Sequence, residues 1–185
     1  VMNINKVAVI GAGVMGAGIA AHIANAGLPV YLLDIVPEGE KNRNAIAEGA
    51  ISKLLKAEPA PFMDNRNAKL IIPGNIEDNL EWLASVDWVI EAIIENPKAK
   101  KSLYQKLEAI CCKETLISSN TSTLPLALLT HGLSDEFVRR FMITHFFNPP
   151  RYMRLLECIA GPLTRPELVD AVTQFADYRL GKECV

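Results

Sequence analysis

The feature that most constrains this chain is Gly11-Ala12-Gly13-Val14-Met15-Gly16, set directly behind the apolar run Lys6 to Ile10 (KVAVI) and opening the small-residue stretch Val14 to Ala26. A GxGxxG pattern alone is a common glycine turn. Between a buried strand and a helix start it becomes a phosphate cradle. The first glycine permits the tight turn, the second lets the backbone approach a pyrophosphate, and the third lets helix and strand pack closely. The helix start also offers free N–H groups and the positive end of its dipole. Gly27 stands where the helix should close, and Pro29 to Leu33 reads as the second strand. Asp34 follows, where an acidic side chain can bind both ribose hydroxyls of NAD and repel a 2′-phosphate. Ile35 and Val36 come next and supply no arginine for NADP. The sequence thus predicts NAD as cofactor, with Gly11, Ala12, Gly13, Val14, Met15, Gly16 and Asp34 among its contacts.

Short apolar runs continue to alternate with longer stretches of helical period, the mark of a parallel sheet covered by helices. Asn42 to Lys56 places Ile46, Ala50, Ile51 and Leu54 on one helical face. Ala57 to Asn75 is proline-rich and reads as loop, with one short strand near Leu70 to Ile72. Trp88 to Ile94 (WVIEAII) is a buried strand, and Pro97 opens a helix that turns Leu103, Leu107 and Ile110 to the sheet. Leu116 to Ser118, Phe141 to His145 and Leu155 to Ile159 complete the strands. Thr164 with Glu167 has the spacing of a capping box for a last helix. The expected fold is α/β, a Rossmann-type doubly wound, mostly parallel sheet with helices on both faces. No repeat or flexible linker interrupts it, so residues 1–185 read as one domain.

A formal net charge of −2 over 185 residues argues against a nucleic-acid-coating surface. No apolar run approaches the ~20 residues that span a bilayer, and the N-terminus lacks the pattern of a secretory signal. Cys111, Cys112, Cys158 and Cys184 form no CxxC pair and have no histidine at zinc-ligand spacing. Four reduced thiols in a cytoplasmic protein without a metal is the expectation.

Three later segments carry more specific information: Glu91-Ala92-Ile93-Ile94-Glu95-Asn96-Pro97-Lys98-Ala99-Lys100, then Ser119-Asn120-Thr121-Ser122-Thr123, then His145-Phe146-Phe147-Asn148-Pro149-Pro150 with Leu155-Leu156-Glu157 behind it. Together with GAGVMGAGIA, and in this order over essentially the whole chain, they resemble the NAD-binding domain of L-3-hydroxyacyl-CoA dehydrogenases. They resemble in particular the long bacterial forms fused to an enoyl-CoA hydratase module. The resemblance implies His145 as catalytic base, Glu157 as its partner, and Ser122 between the nicotinamide and the substrate hydroxyl. It also implies that Asn148 lies near the nicotinamide and that Glu95 and Lys100 line the cofactor site. The family's contacts to CoA come from the helix after the second strand, where this sequence departs from the pattern; Lys53 and Lys56 are positional candidates only. A helical second domain that closes over the acyl-CoA and dimerises is also implied, and the chain is expected to be the cofactor domain of such a protein.

The chemistry of the residues is compatible with that role. Oxidising a secondary alcohol requires removal of the hydroxyl proton, which imidazole does near neutral pH. A carboxylate on its other nitrogen fixes the tautomer and stabilises the imidazolium. Two alternatives stay open at this level: a dehydrogenase for another β-hydroxyacid, and a non-catalytic NAD-binding module.

Overall fold

The computed structural model describes residues 2–185. Eight strands form one sheet: β1 (Val7–Ile10), β2 (Val30–Asp34), β3 (Ile71–Asn75), β4 (Trp88–Glu91), β5 (Leu116–Ser119), β6 (Phe141–Phe146), β7 (Leu155–Ala160) and β8 (Glu183–Cys184). Their spatial order is β3-β2-β1-β4-β5-β6-β7-β8. The first six run parallel, and the order reverses direction at β1, the switch point where ligands of such sheets bind. β7 is antiparallel to β6, because the 147–154 connection is too short for a crossover. The doubly wound, mostly parallel α/β fold expected from the sequence is the fold observed.

Among the described residues six helices cover the sheet: α1 (Val14–Asn25), α2 (Ala45–Leu54), α3 (Pro97–Ile110), α4 (Leu126–Thr130), α5 (Asp135–Val138) and α6 (Pro166–Leu180). Because strand residues alternate faces, Val7 and Val9 of β1 enter one core with residues of α1, α2 and α6, while Ala8 and Ile10 enter a second with residues of α3 and α5. Both faces of β1 are therefore dry, which is why the sequence shows an unbroken apolar run there. Small residues on α1 let it lie close to its neighbours: a Cβ on Gly18 would stand 3.0 Å from the Pro150 ring.

Local differences from the sequence reading have physical causes. The helix expected over 42–56 is confined to α2, with Arg43 held outside it by Glu77 and Asp78. Strand β4 stops at Glu91 rather than Ile94. There the chain bends over the glycine turn, so closely that a Cβ on Gly11 would stand 2.3 Å from the Ala92 carbonyl oxygen. The Thr164–Glu167 capping box does not form. Arg165 is the cap residue and Pro166 sets the helix start, while the Thr164 hydroxyl donates to the Phe141 carbonyl at 2.8 Å and accepts from Gly161 N–H. The 57–75 segment also contains a 3-10 turn over Asn65–Leu70, and a second spans Leu80–Ser85. No helix among the described residues is long and apolar enough to cross a membrane.

Candidate active site

The residues singled out in the sequence gather at the C-terminal edge of the parallel strands. Gly11 leaves β1 with φ +108°, a conformation a side chain resists. A Cβ on Gly16 would lie 1.7 Å from the Gly11 carbonyl oxygen, so the third glycine is sterically obligatory. Gly13 differs, since a Cβ there would meet nothing within 4 Å. It is the cap residue of α1, and no side chain among the described residues caps that helix or places an acid in its first turn. The first N–H groups of α1 thus point, uncapped, into space that only a missing side chain keeps open. That is the arrangement a pyrophosphate requires. Asp34 closes the turn from the side, its Oδ2 accepting from Ala12 N–H and its Oδ1 from Ile35 N–H, both at 2.6 Å. Each carboxylate oxygen retains acceptor capacity for a further hydroxyl. The turn and its aspartate fit a dinucleotide.

Beside this turn lies a cavity of about 340 Å³ whose walls include Met15, Glu95, Lys100, Ser122, His145 and Asn148. Six of the residues expected from sequence thus meet in one place. His145 and Glu157 are directly opposite each other in the antiparallel β6–β7 pairing, and His145 Nδ1 lies 3.0 Å from Glu157 Oε1. A carboxylate only accepts, so Nδ1–H donates and Nε2 is left able to take a proton. The imidazole is mostly buried and packs edge-on against Phe147, ring centroids 4.5 Å apart. Asn120 adds a support that sequence reasoning missed: its Oδ1 accepts from Phe146 N–H at 2.8 Å, pinning the end of β6 beside the histidine.

Under the cavity sits a second arrangement that was not foreseen. Glu91, fully buried at the end of β4, accepts from Lys100 Nζ and the Tyr104 hydroxyl at 2.5 Å each, from the Ser119 hydroxyl at 2.7 Å and from Ile93 N–H at 2.9 Å. Lys100, expected to line the cofactor site, lines this cavity as a buried side chain held between Glu91 and Glu95. Burial and the Glu91 charge raise the Tyr104 pKa, keeping that hydroxyl a donor. For Glu95, burial acts to raise the pKa, but hydrogen bonds from Thr121, Thr123 and Lys100 outweigh it and the net shift is downward. The clue in the sequence was the glutamate inside WVIEAII, since a charge in a dry strand needs partners.

A larger cavity, about 570 Å³, lies on the other side of the α1 start, between α2 and the 147–154 loop. Ala12, Gly13 and Val14 line it, and Asn148 borders both cavities. Of the two lysines considered on α2 and just beyond it, Lys53 lines this space and Lys56 does not. Arg151 stands on the opposite wall, its guanidinium donating to the carbonyls of Ala60 and Phe62.

Fold and site together define a dinucleotide-binding dehydrogenase domain with a histidine–carboxylate pair. Residues 6–185 match the family model described as "3-hydroxyacyl-CoA dehydrogenase, NAD binding domain", and the chain belongs to that family. It is 53% identical over 184 residues to a probable 3-hydroxyacyl-CoA dehydrogenase of Deinococcus radiodurans, covering 100% of this chain and 53% of that one. It is 44% identical to a putative fatty acid oxidation complex trifunctional enzyme of Rickettsia felis, covering 98% of this chain and 25% of the relative. Among solved structures, 3-hydroxybutyryl-CoA dehydrogenase from Escherichia coli superposes with a TM-score of 0.82 at 31% identity, over 100% of this chain and 38% of that one. The chain therefore spans about half of the first of these proteins and less of the other two.

Proposed function

We propose that this chain provides the NAD site and part of the acyl-CoA site of an enzyme that oxidises L-3-hydroxyacyl-CoA to 3-oxoacyl-CoA in fatty-acid β-oxidation. The observation that carries the reading is the His145–Glu157 pair on the cavity that Ser122 and Asn148 also border, beside an uncapped glycine turn. Gly11, Ala12, Gly13, Val14, Met15 and Gly16 would hold the pyrophosphate, and Asp34 the adenosine ribose, favouring NAD over NADP. Bound NAD supplies the hydride acceptor. His145 Nε2 takes the proton of the 3-hydroxyl, and Glu157 holds the ring in the required tautomer and offsets the charge it gains. Ser122 hydrogen-bonds the same oxygen, Asn148 orients the cofactor end of the cavity, and Glu95 and Lys100 form its floor. The larger cavity, with Lys53 and Arg151 on its walls, suits the CoA portion.

The relatives are longer than this chain, which supports a helical second domain that completes the substrate site and pairs the protein into a dimer. A cytoplasmic location belongs to the same reading. The test is a paired assay of the whole protein with acetoacetyl-CoA and free acetoacetate, each with NADH and NADPH. Turnover of acetoacetyl-CoA with NADH alone is expected. Equal use of acetoacetate would sink the substrate class, and equal use of NADPH the role of Asp34.

A further inference from the structure

The charges around Lys100 do not cancel. Its ammonium lies 2.5 Å from Glu91 and 3.1 Å from Glu95, so two carboxylates share one cation. Lys100 and Glu91 are 1% and 0% exposed, whereas the Glu95 side chain is 43% exposed and borders the His145 cavity. Buried opposite charges at contact distance neutralise each other most completely, since little water screens them. The uncompensated negative charge therefore resides at Glu95, on the cavity side. Hydrogen bonds from Thr121 at 2.6 Å and Thr123 at 2.8 Å hold that carboxylate in place. The downward shift of Glu95 agrees with a group that stays ionised there.

We propose that Glu91 is a positioning residue that occupies the Lys100 charge, leaving Glu95 negative toward the cofactor cavity so that the site prefers the oxidised, positively charged nicotinamide over the reduced, neutral ring. The inference rests on the NAD reading above. It assigns a purpose to a buried carboxylate, Glu91, that does not itself line the cavity. Without Glu91, Lys100 would turn its full charge on Glu95 and cancel it.

The experiment measures dissociation constants for NAD+ and NADH by titration calorimetry on the wild type, Glu91→Gln, and the double variant Glu91→Gln/Lys100→Met. Loss of one neighbouring charge should move the NAD+/NADH affinity ratio of Glu91→Gln about tenfold toward NADH. The double variant restores the charge count and should return the ratio to the wild-type value. A purely structural role would weaken both forms together and leave the ratio unmoved, and that result overturns the proposal. Should Glu91→Gln fail to fold, the double variant must match the wild-type ratio, and adding Glu95→Gln to it must shift the ratio toward NADH; failure of either is equally fatal. A wild type that binds neither form defeats the cofactor reading itself, whereas binding with an unresponsive ratio defeats this inference alone.

Discussion

The glycine turn after β1 and the β6–β7 hairpin face the same cavity edge, yet they are specified in opposite ways. The turn works through what is absent. Gly16 leaves room for a carbonyl, Gly13 leaves room for a ligand, and the binding groups are backbone N–H groups that any residue would supply. The hairpin works through what is present, two side chains that must stand opposite each other to meet at 3.0 Å. On the proposed function, damage to the turn should be steric and felt by fold or binding, while damage to the hairpin pair should be chemical and felt by turnover.

The sharpest way to break this contrast is His145→Gln in the whole enzyme. It should lower kcat by roughly 10²–10⁴-fold, the range for a lost general base, with NAD affinity unchanged by calorimetry. Glu157→Gln should also impair turnover, and the double variant should be no slower than the worse single, because the two act as a unit. Independent, multiplying losses would show that the pair is not one device.

Next in size is Gly16→Ala. A Cβ 1.7 Å from the Gly11 oxygen cannot be accommodated without moving the backbone. We expect destabilisation of more than about 3 kcal/mol, visible in chemical denaturation, with cofactor binding lost alongside. Gly13→Ala sharpens the comparison from the same motif. With open space around its Cβ and an ordinary φ of −73°, the melting temperature should fall by no more than about 4 °C, given that Gly and Ala caps differ by only about 1 kcal/mol or less. NAD binding should nevertheless weaken about tenfold, because a methyl intrudes where the pyrophosphate approaches. A variant that lost stability and kept its affinity would reverse the role given to Gly13.

The smallest effect lies away from both regions and serves as their control. Burial holds the His22 imidazole below its usual pKa on α1, where Nε2–H donates to the Leu180 carbonyl at 2.8 Å. Below about pH 6.5 the unfolded chain takes up a proton that the folded one refuses, so stability falls with pH by up to about 1.4 kcal/mol per unit. His22→Gln should flatten that slope in denaturation curves without changing the pH profile of turnover above pH 7. An unaltered slope would place the acid sensitivity elsewhere.

Much of this was legible in the sequence where the signal is periodic or compositional. The dry strands β1 and β4 announced themselves as apolar runs, and the glycine spacing marked the turn. The six expected cavity-lining residues lay in the glycine motif and three later recognisable segments. What escaped depends on contacts between distant segments. Thr164 had the residue type and spacing of a cap, but the nearby Phe141 carbonyl and the proline at 166 competed for its hydroxyl and for the helix start. The short α4 and α5 carry too few turns to show a period. Glu91 was visible as an anomaly, yet its partners come from β5 and two turns of α3, which only the folded sheet brings together.

The hairpin register also sets rules for insertion and deletion. Residues added to the 147–154 loop, though they would displace Asn148 or Arg151 on the cavity walls, leave His145 opposite Glu157. One residue added inside β7 ahead of Glu157 would slide the strand by a single step, bring Leu156 opposite the histidine and send the carboxylate to the far face of the sheet. Two added residues would restore the face but displace the carboxylate along the strand by about 7 Å, beyond hydrogen-bonding reach. Length variation in this part of the molecule therefore spares the histidine–carboxylate pairing when it falls in the loop and breaks it when it falls in the strand, whatever residues are inserted.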